Sequence, residues 1–170
     1  MRHDDKCGAI PAVAGAMNPP RRRWLIAAAA LASLPAATRV WAAKRTRVEV
    51  WKSPTCGCCK DWVAHLEANG FAVKVSDVGN TGMRVRLGIP AALGSCHTAL
   101  VGGYAIEGHV PARDIQRLLA ERPPAIGLAV PGMPIGSPGM DGPAYGGRRD
   151  RYDVLLVRKD GSTAVFASHA

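Results

Sequence analysis

Apolar and polar residues alternate through Arg47-Val48-Glu49-Val50-Trp51, the period-2 pattern of a strand with one buried face. Beyond Lys52-Ser53-Pro54-Thr55 and the cluster Cys56-Gly57-Cys58-Cys59, the pattern changes. Trp62, Val63 and Leu66 recur at helical spacing until Asn69-Gly70 supplies a stop signal. Phe71-Ala72-Val73-Lys74-Val75 alternates again and predicts a second strand. The domain therefore opens strand, helix, strand, with the cysteine cluster at the first strand-to-helix junction.

Residues 77–95 are rich in glycine and polar groups. Their weak apolar pattern at Met83, Val85, Leu87 and Ile89 leaves a short helix and an irregular connection both open. Thr98–Val101, the Gly102-Gly103 turn and Tyr104–Val110 read as a β-hairpin. Pro111 suits the first turn of a helix whose apolar face is Ile115, Leu118 and Leu119 and which ends before Pro123-Pro124. The glycine- and proline-rich stretch from Ala125 to Gly147 reads as one long loop. Tyr152–Val157 and Thr163–Ala167, joined by Lys159-Asp160-Gly161-Ser162, close the chain as a second hairpin. This order predicts an α/β domain with a thioredoxin-like mixed sheet and flanking helices over residues 46–122, to which the loop and the last hairpin are additions.

Upstream, Arg21-Arg22-Arg23 precedes an uncharged run of 11 residues, Trp24–Leu34. A membrane span needs about 20 such residues, so this run has the length of a signal-peptide core instead. Val40-Trp41-Ala42 fits the cleavage rule, with the cut after Ala42. Residues 1–42 are thus expected to be an N-terminal extension and cleaved signal peptide, with Met17 as a candidate true start, and 43–170 a single mature domain. The paired arginines suit the twin-arginine route as well as the general secretory one. No membrane anchor is expected after cleavage.

The leader also explains much of the charge. The whole chain carries 22 basic and 13 acidic side chains, a formal +9; without residues 1–42 it keeps 16 and 11, or +5. The remaining basic clusters, Lys44-Arg45-Thr46-Arg47 and Arg148-Arg149-Asp150-Arg151, lack interleaved aromatics and read as solvated surface. A nucleic-acid partner is excluded on these grounds.

Cys7 leaves with the leader, and four cysteines remain: Cys56, Cys58, Cys59 and Cys96. Cys56 and Cys59 form a C-x-x-C pair at a helix N-terminus, where free amide groups and the helix dipole stabilise thiolate. That pair alone is shared by redox enzymes and zinc sites. Cys58 adds a soft ligand that simple dithiol exchange does not need. In a thioredoxin-like fold the segment before the third strand packs against the pair and carries a cis-proline; here it reads Ser95-Cys96-His97-Thr98, with His97 in the proline's place. Both new residues are metal donors. Two structural disulfides are the ordinary alternative in an exported protein, but three cysteines within four residues crowd as partners for one distant Cys96.

Met133 and Met140 lie in a stretch without amphipathic periodicity, either as core filler or as thioether ligands, which suit Cu(I) and are poor for zinc. His109 is a weaker candidate, equally well read as satisfied by backbone, and His65 reads as surface or helix packing. Three functions are carried forward. The first is a Cu(I)-binding protein using Cys56, Cys58, Cys59 and Cys96 as thiolates, with one or more of His97, Met133 and Met140 completing or gating the site. The second is a thiol-disulfide or copper-linked oxidoreductase with Cys56 attacking and Cys59 resolving. The third is a structural four-cysteine zinc domain.

Cys56-Gly57-Cys58-Cys59, Ser95-Cys96-His97-Thr98-Ala99, Gly103–Pro111 and Pro131–Met140 together resemble the small exported metal-binding proteins related to the copper-resistance protein CopG. The resemblance covers about residues 46–168. It implies a thioredoxin-like fold, a periplasmic location, and copper handling or tolerance alongside other periplasmic copper-handling proteins. It also implies Cu(I) held by the clustered cysteines as a multinuclear thiolate-bridged site.

Overall fold

A computed structural model describes residues 45–170; the leader, its cleavage site at Ala42, the alternative start at Met17 and Cys7 lie outside the described residues. The chain runs β1 (Thr46–Lys52), α1 (Gly57–Ala68), β2 (Phe71–Ser76), α2 (Thr81–Arg86), β3 (His97–Val101), β4 (Tyr104–Glu107), α3 (Ala112–Glu121), β5 (Ala125–Ala129), β6 (Tyr152–Arg158) and β7 (Thr163–His169). Single 3-10 turns lie at Ala91–Leu93 and Pro143–Tyr145. The strands form one mixed seven-stranded sheet in the order β2-β1-β3-β4-β5-β6-β7. The protein is thus mixed α/β, with few helices.

Parallel neighbours need a long crossover, and a helix supplies each: α1 carries the chain from β1 to β2, and α3 from β4 to β5. The β1–β3, β3–β4, β5–β6 and β6–β7 pairs are antiparallel. The alternation in β1 buries Val48 and Val50. They meet Trp62 and Leu66 of α1, Ile115 and Leu118 of α3, and Leu128 of β5 in one core. Burying each such aliphatic side chain contributes about 1.5–3 kcal/mol. No helix among the described residues is long and apolar enough to cross a membrane.

Two sequence expectations change and one open question closes. The stretch from Ala125 to Gly147 is not all loop, because Ala125–Ala129 is β5, between β4 and β6. Its sequence, Ala-Ile-Gly-Leu-Ala, does not alternate because a strand in the middle of a covered sheet has no polar face to show. Gly127 is needed there: a Cβ would collide with the backbone of Ala105 on β4. Second, β4 ends at Glu107 rather than running to Val110, since Gly108 takes a positive φ of 73° and turns the chain out of the sheet. Third, the open question at residues 77–95 resolves into the six-residue α2, Thr81–Arg86.

Candidate metal centre

β1 delivers the chain to Cys56, the N-cap of α1, so Cys58 and Cys59 fall in the helix's first turn. Unpaired amide groups and the positive end of the helix dipole favour thiolate at this place. Cys56 and Cys59 are joined by a disulfide, with Cα atoms 5.4 Å apart, while Cys58 and Cys96 carry free thiols. The four-thiol set expected from the sequence is therefore two thiols and one disulfide here, because C-x-x-C spacing at a helix start brings its two cysteines within bonding reach. Cys58 Sγ lies 3.5 Å from Cys56 Sγ and 3.9 Å from Cys96 Sγ. All four sulfurs fall within 4.8 Å of one another, so Cys96 reaches the motif across 37 positions as expected.

Cys96 immediately precedes β3 and is half-buried. Burial, reinforced by the neighbouring Cys58 sulfur, pushes its thiol up to about 12. Two imidazoles face it: His109 Nε2 at 3.1 Å and His97 Nδ1 at 3.4 Å. His109 Nδ1–H donates to the Pro138 carbonyl at 2.8 Å, which leaves the Nε2 lone pair directed at sulfur. His109 is thus both satisfied by backbone and turned toward the site, a better donor than the sequence indicated. Its position follows from the turn at Gly108.

His97 is completely buried, against Trp62 at a ring-centroid distance of 4.2 Å and edge-on to His109 at 4.9 Å. Its Nε2 is the one buried side-chain nitrogen or oxygen without a partner among the described residues. Burial holds His97 well below the ordinary imidazole range and lowers His109 too, so both favour the neutral, ligating form. Cys96, His97 and His109 form a second candidate donor group that shares its sulfur with the first.

The two methionines part company. Met133 is 52% exposed and lines a groove of about 420 Å³ together with Cys96 and Arg84. Met140 is buried, and its Sδ accepts a hydrogen bond from the Tyr145 hydroxyl at 3.2 Å. The loop that carries both covers the start of α1: a Cβ at Gly139 would stand 2.8 Å from the Trp62 amide nitrogen. His65 belongs to packing, as read from the sequence, and its Nε2 accepts the Ala112 N–H at the start of α3.

A family model described as "Protein of unknown function, DUF411" matches residues 93–140, from just before Cys96 through Met140. No curated protein matches the chain. The solved structure "Copper resistance protein copG- Form 2" is 45% identical, with a TM-score of 0.68, and the match covers 74% of this chain and 99% of that one. The chain belongs to the CopG family. A second CopG structure, Form 1, matches with a TM-score of 0.66 at the same identity, over 74% of this chain and 98% of that one.

In this CopG-family chain the donor set is rich in sulfur, with two neutral imidazoles, the chemistry of a soft-metal site once the disulfide is reduced. In the oxidised form the same sulfurs are a two-electron acceptor. Sequence reasoning passed over Arg84 and Glu107, an ion pair of a half-buried guanidinium and a buried carboxylate with Nε and Oε1 2.8 Å apart. Their one sequence signal was an acidic residue at the end of the apolar run Tyr104-Ala105-Ile106.

Proposed function

We propose that this chain is an exported, periplasmic Cu(I)-binding protein of copper handling or resistance, built on a thioredoxin-like domain. The observation that carries the reading is the convergence of four cysteine sulfurs within 4.8 Å at a helix N-terminus. Cys56, Cys58, Cys59 and Cys96 supply thiolates after reduction, His97 and His109 neutral imidazole, and Met133 an exposed thioether at the mouth. So many sulfurs in so small a space favour thiolate bridges between more than one Cu(I) ion. Soft donors of this kind select Cu(I) over harder cations. The order β2-β1-β3-β4, with β1 and β2 parallel and the cysteine pair at the start of α1, supports the thioredoxin-like reading. The copper-resistance names of the solved relatives support the biological role. The leader supports export.

Anaerobic titration of the reduced chain with Cu(I) and with Zn(II), each against a competing chelator, tests the proposal. Tight Cu(I) uptake that displaces zinc is expected. Binding of zinc alone would return the site to a structural staple, and absence of tight Cu(I) binding would overturn the reading. Cell fractionation tests the location, with a mature chain beginning at Ala43 expected in the periplasm.

The Cys56–Cys59 disulfide favours one further reading, a thiol-disulfide or copper-linked oxidoreductase. Insulin reduction that requires Cys56 and survives metal removal would put that activity first.

A further inference from the structure

Glu107 ends β4 and is completely buried, yet it lies outside the donor set. Its carboxylate accepts three hydrogen bonds: from Arg84 Nε at 2.8 Å and the Ser95 amide at 2.7 Å on Oε1, and from Thr98 Oγ1 at 2.6 Å on Oε2. Arg84 Nη2 donates in turn to the Ser95 carbonyl, which also accepts from Asn80 Nδ2 at 3.2 Å. Asn80 Nδ2 lies at the same distance from Thr98 Oγ1. Both backbone polar groups of Ser95 are therefore held by side chains, in a residue that precedes β3 and belongs to no strand.

Ser95 is the residue before Cys96, so its peptide carbonyl is bonded directly to the Cys96 nitrogen. Gly108 completes the seat from behind. A Cβ there would stand 2.7 Å from Ser95 Cβ, so glycine lets Ser95 press against the chain just before His109. An ion pair whose carboxylate is fully buried is seldom a gain in stability over apolar packing of the same shape, because desolvation offsets the attraction. What this one supplies is direction, since the planar guanidinium fork meets a carboxylate and a carbonyl at once.

We propose that Glu107 and Arg84 are positioning residues that fix Cys96 Sγ against Cys58 and the two imidazoles, so that the donors meet without rearrangement. The part concerning copper rests on the Cu(I) reading above; the placement of Cys96 does not.

Two measurements on the full chain separate the two parts. One is the Cu(I) affinity of the reduced chain. The other needs no metal: the rate at which Cys58 and Cys96 cross-link when a small-molecule disulfide is the oxidant. Cys58 and Cys96 then lose two protons and two electrons to form one S–S bond, and the oxidant is reduced to two thiols. Glu107→Gln and Arg84→Met are expected to slow cross-linking and weaken Cu(I) binding, each by about tenfold, the usual size of outer-sphere effects on metal sites. Asn80→Ala, on a part-exposed loop, removes one of the two donors to the Ser95 carbonyl and keeps the test open if the buried variants do not fold. It is expected to move both readouts in the same direction by about threefold. Wild-type rates and affinities in folded variants would overturn the proposal. Slowed cross-linking in a chain whose wild type takes up no Cu(I) would uphold the positioning role and reject the copper reading alone.

Discussion

His109 Nε2 faces Cys96 Sγ at 3.1 Å while the other nitrogen of the ring is held by the Pro138 carbonyl. One imidazole thus links the covering loop to the sulfur that β3 brings to the cluster. His109→Gln is expected to lower Cu(I) affinity by about tenfold or more, since losing a donor costs at least as much as losing an outer-sphere partner. The lost bond to Pro138 should cost about 1 kcal/mol of stability besides. Competition with a Cu(I) chelator, alongside thermal unfolding, separates the two effects. Full affinity in a destabilised variant would leave His109 as a strut for the loop.

The methionines call for opposite outcomes. Met133 shares a groove with Cys96 and is exposed, whereas Met140 is buried with its sulfur already accepting from Tyr145. Met133→Leu should weaken Cu(I) capture. Met140→Leu conserves volume, so it should cost less than about 1.5 kcal/mol in unfolding and leave affinity unchanged. The reverse pattern in a chelator competition would place the thioether ligand deeper in the loop.

The parts of the fold that depend on local pattern could be read from the sequence. Val48 and Val50 alternate with polar neighbours and are buried as expected. Cys96 could be brought to the motif because the order of elements resembles a thioredoxin-like domain, in which the segment before the third strand packs against the cysteine pair. β5 was invisible, since its identity depends on neighbours on both edges and on Gly127 meeting Ala105, none of which is written within five residues. His109 and Glu107 were undervalued or missed for a related reason. The turn at Gly108 sends one into the site and leaves the other beneath Ser95, a division that hydrophobic periodicity does not encode.

Acid should loosen the fold through histidines that packing withdraws from water, two of them buried and one, His65, half-buried. Burial lowers the pKa of His65, His97 and His109 below 6.5, with Asp141 partly opposing this at His65. The unfolded chain then binds more protons than the folded one, so stability is full above the unfolded value of 6.5 and declines as pH falls below it. At His65 the consequence is local: Nε2 accepts the Ala112 N–H, and a protonated ring would turn a second donor toward it. The melting temperature of the metal-free chain should fall between about pH 7 and about pH 5. In His65→Gln, whose side-chain oxygen can accept at any pH, the accompanying loss of unfolding free energy should shrink by less than about 1 kcal/mol, since the ring is half-exposed to solvent. An identical pH profile for the variant would show that His65 does not carry the effect.

With Cys56 and Cys59 already joined, the thiols left among the described residues are Cys58 and Cys96, 3.9 Å apart in space and 38 positions apart in sequence. The crowding that argued against two disulfides assumed that the motif cysteines compete for Cys96. In the fold Cys56 and Cys59 satisfy each other and leave Cys58 to face it. Incubation of the metal-free chain with a small-molecule disulfide should therefore yield a second linkage, Cys58–Cys96, identified by peptide mapping without reduction. Closing a loop of that length should raise stability by about 4 kcal/mol. Cu(I) loading should suppress the linkage, because sulfur lone pairs engaged by metal are poor nucleophiles toward a disulfide. A mixed disulfide that persists on Cys58 without passing to Cys96 would show that the two sulfurs do not meet. Suppression by Cu(I) but not by Zn(II) at equal concentration would tie the protection of these thiols to the metal they are proposed to hold.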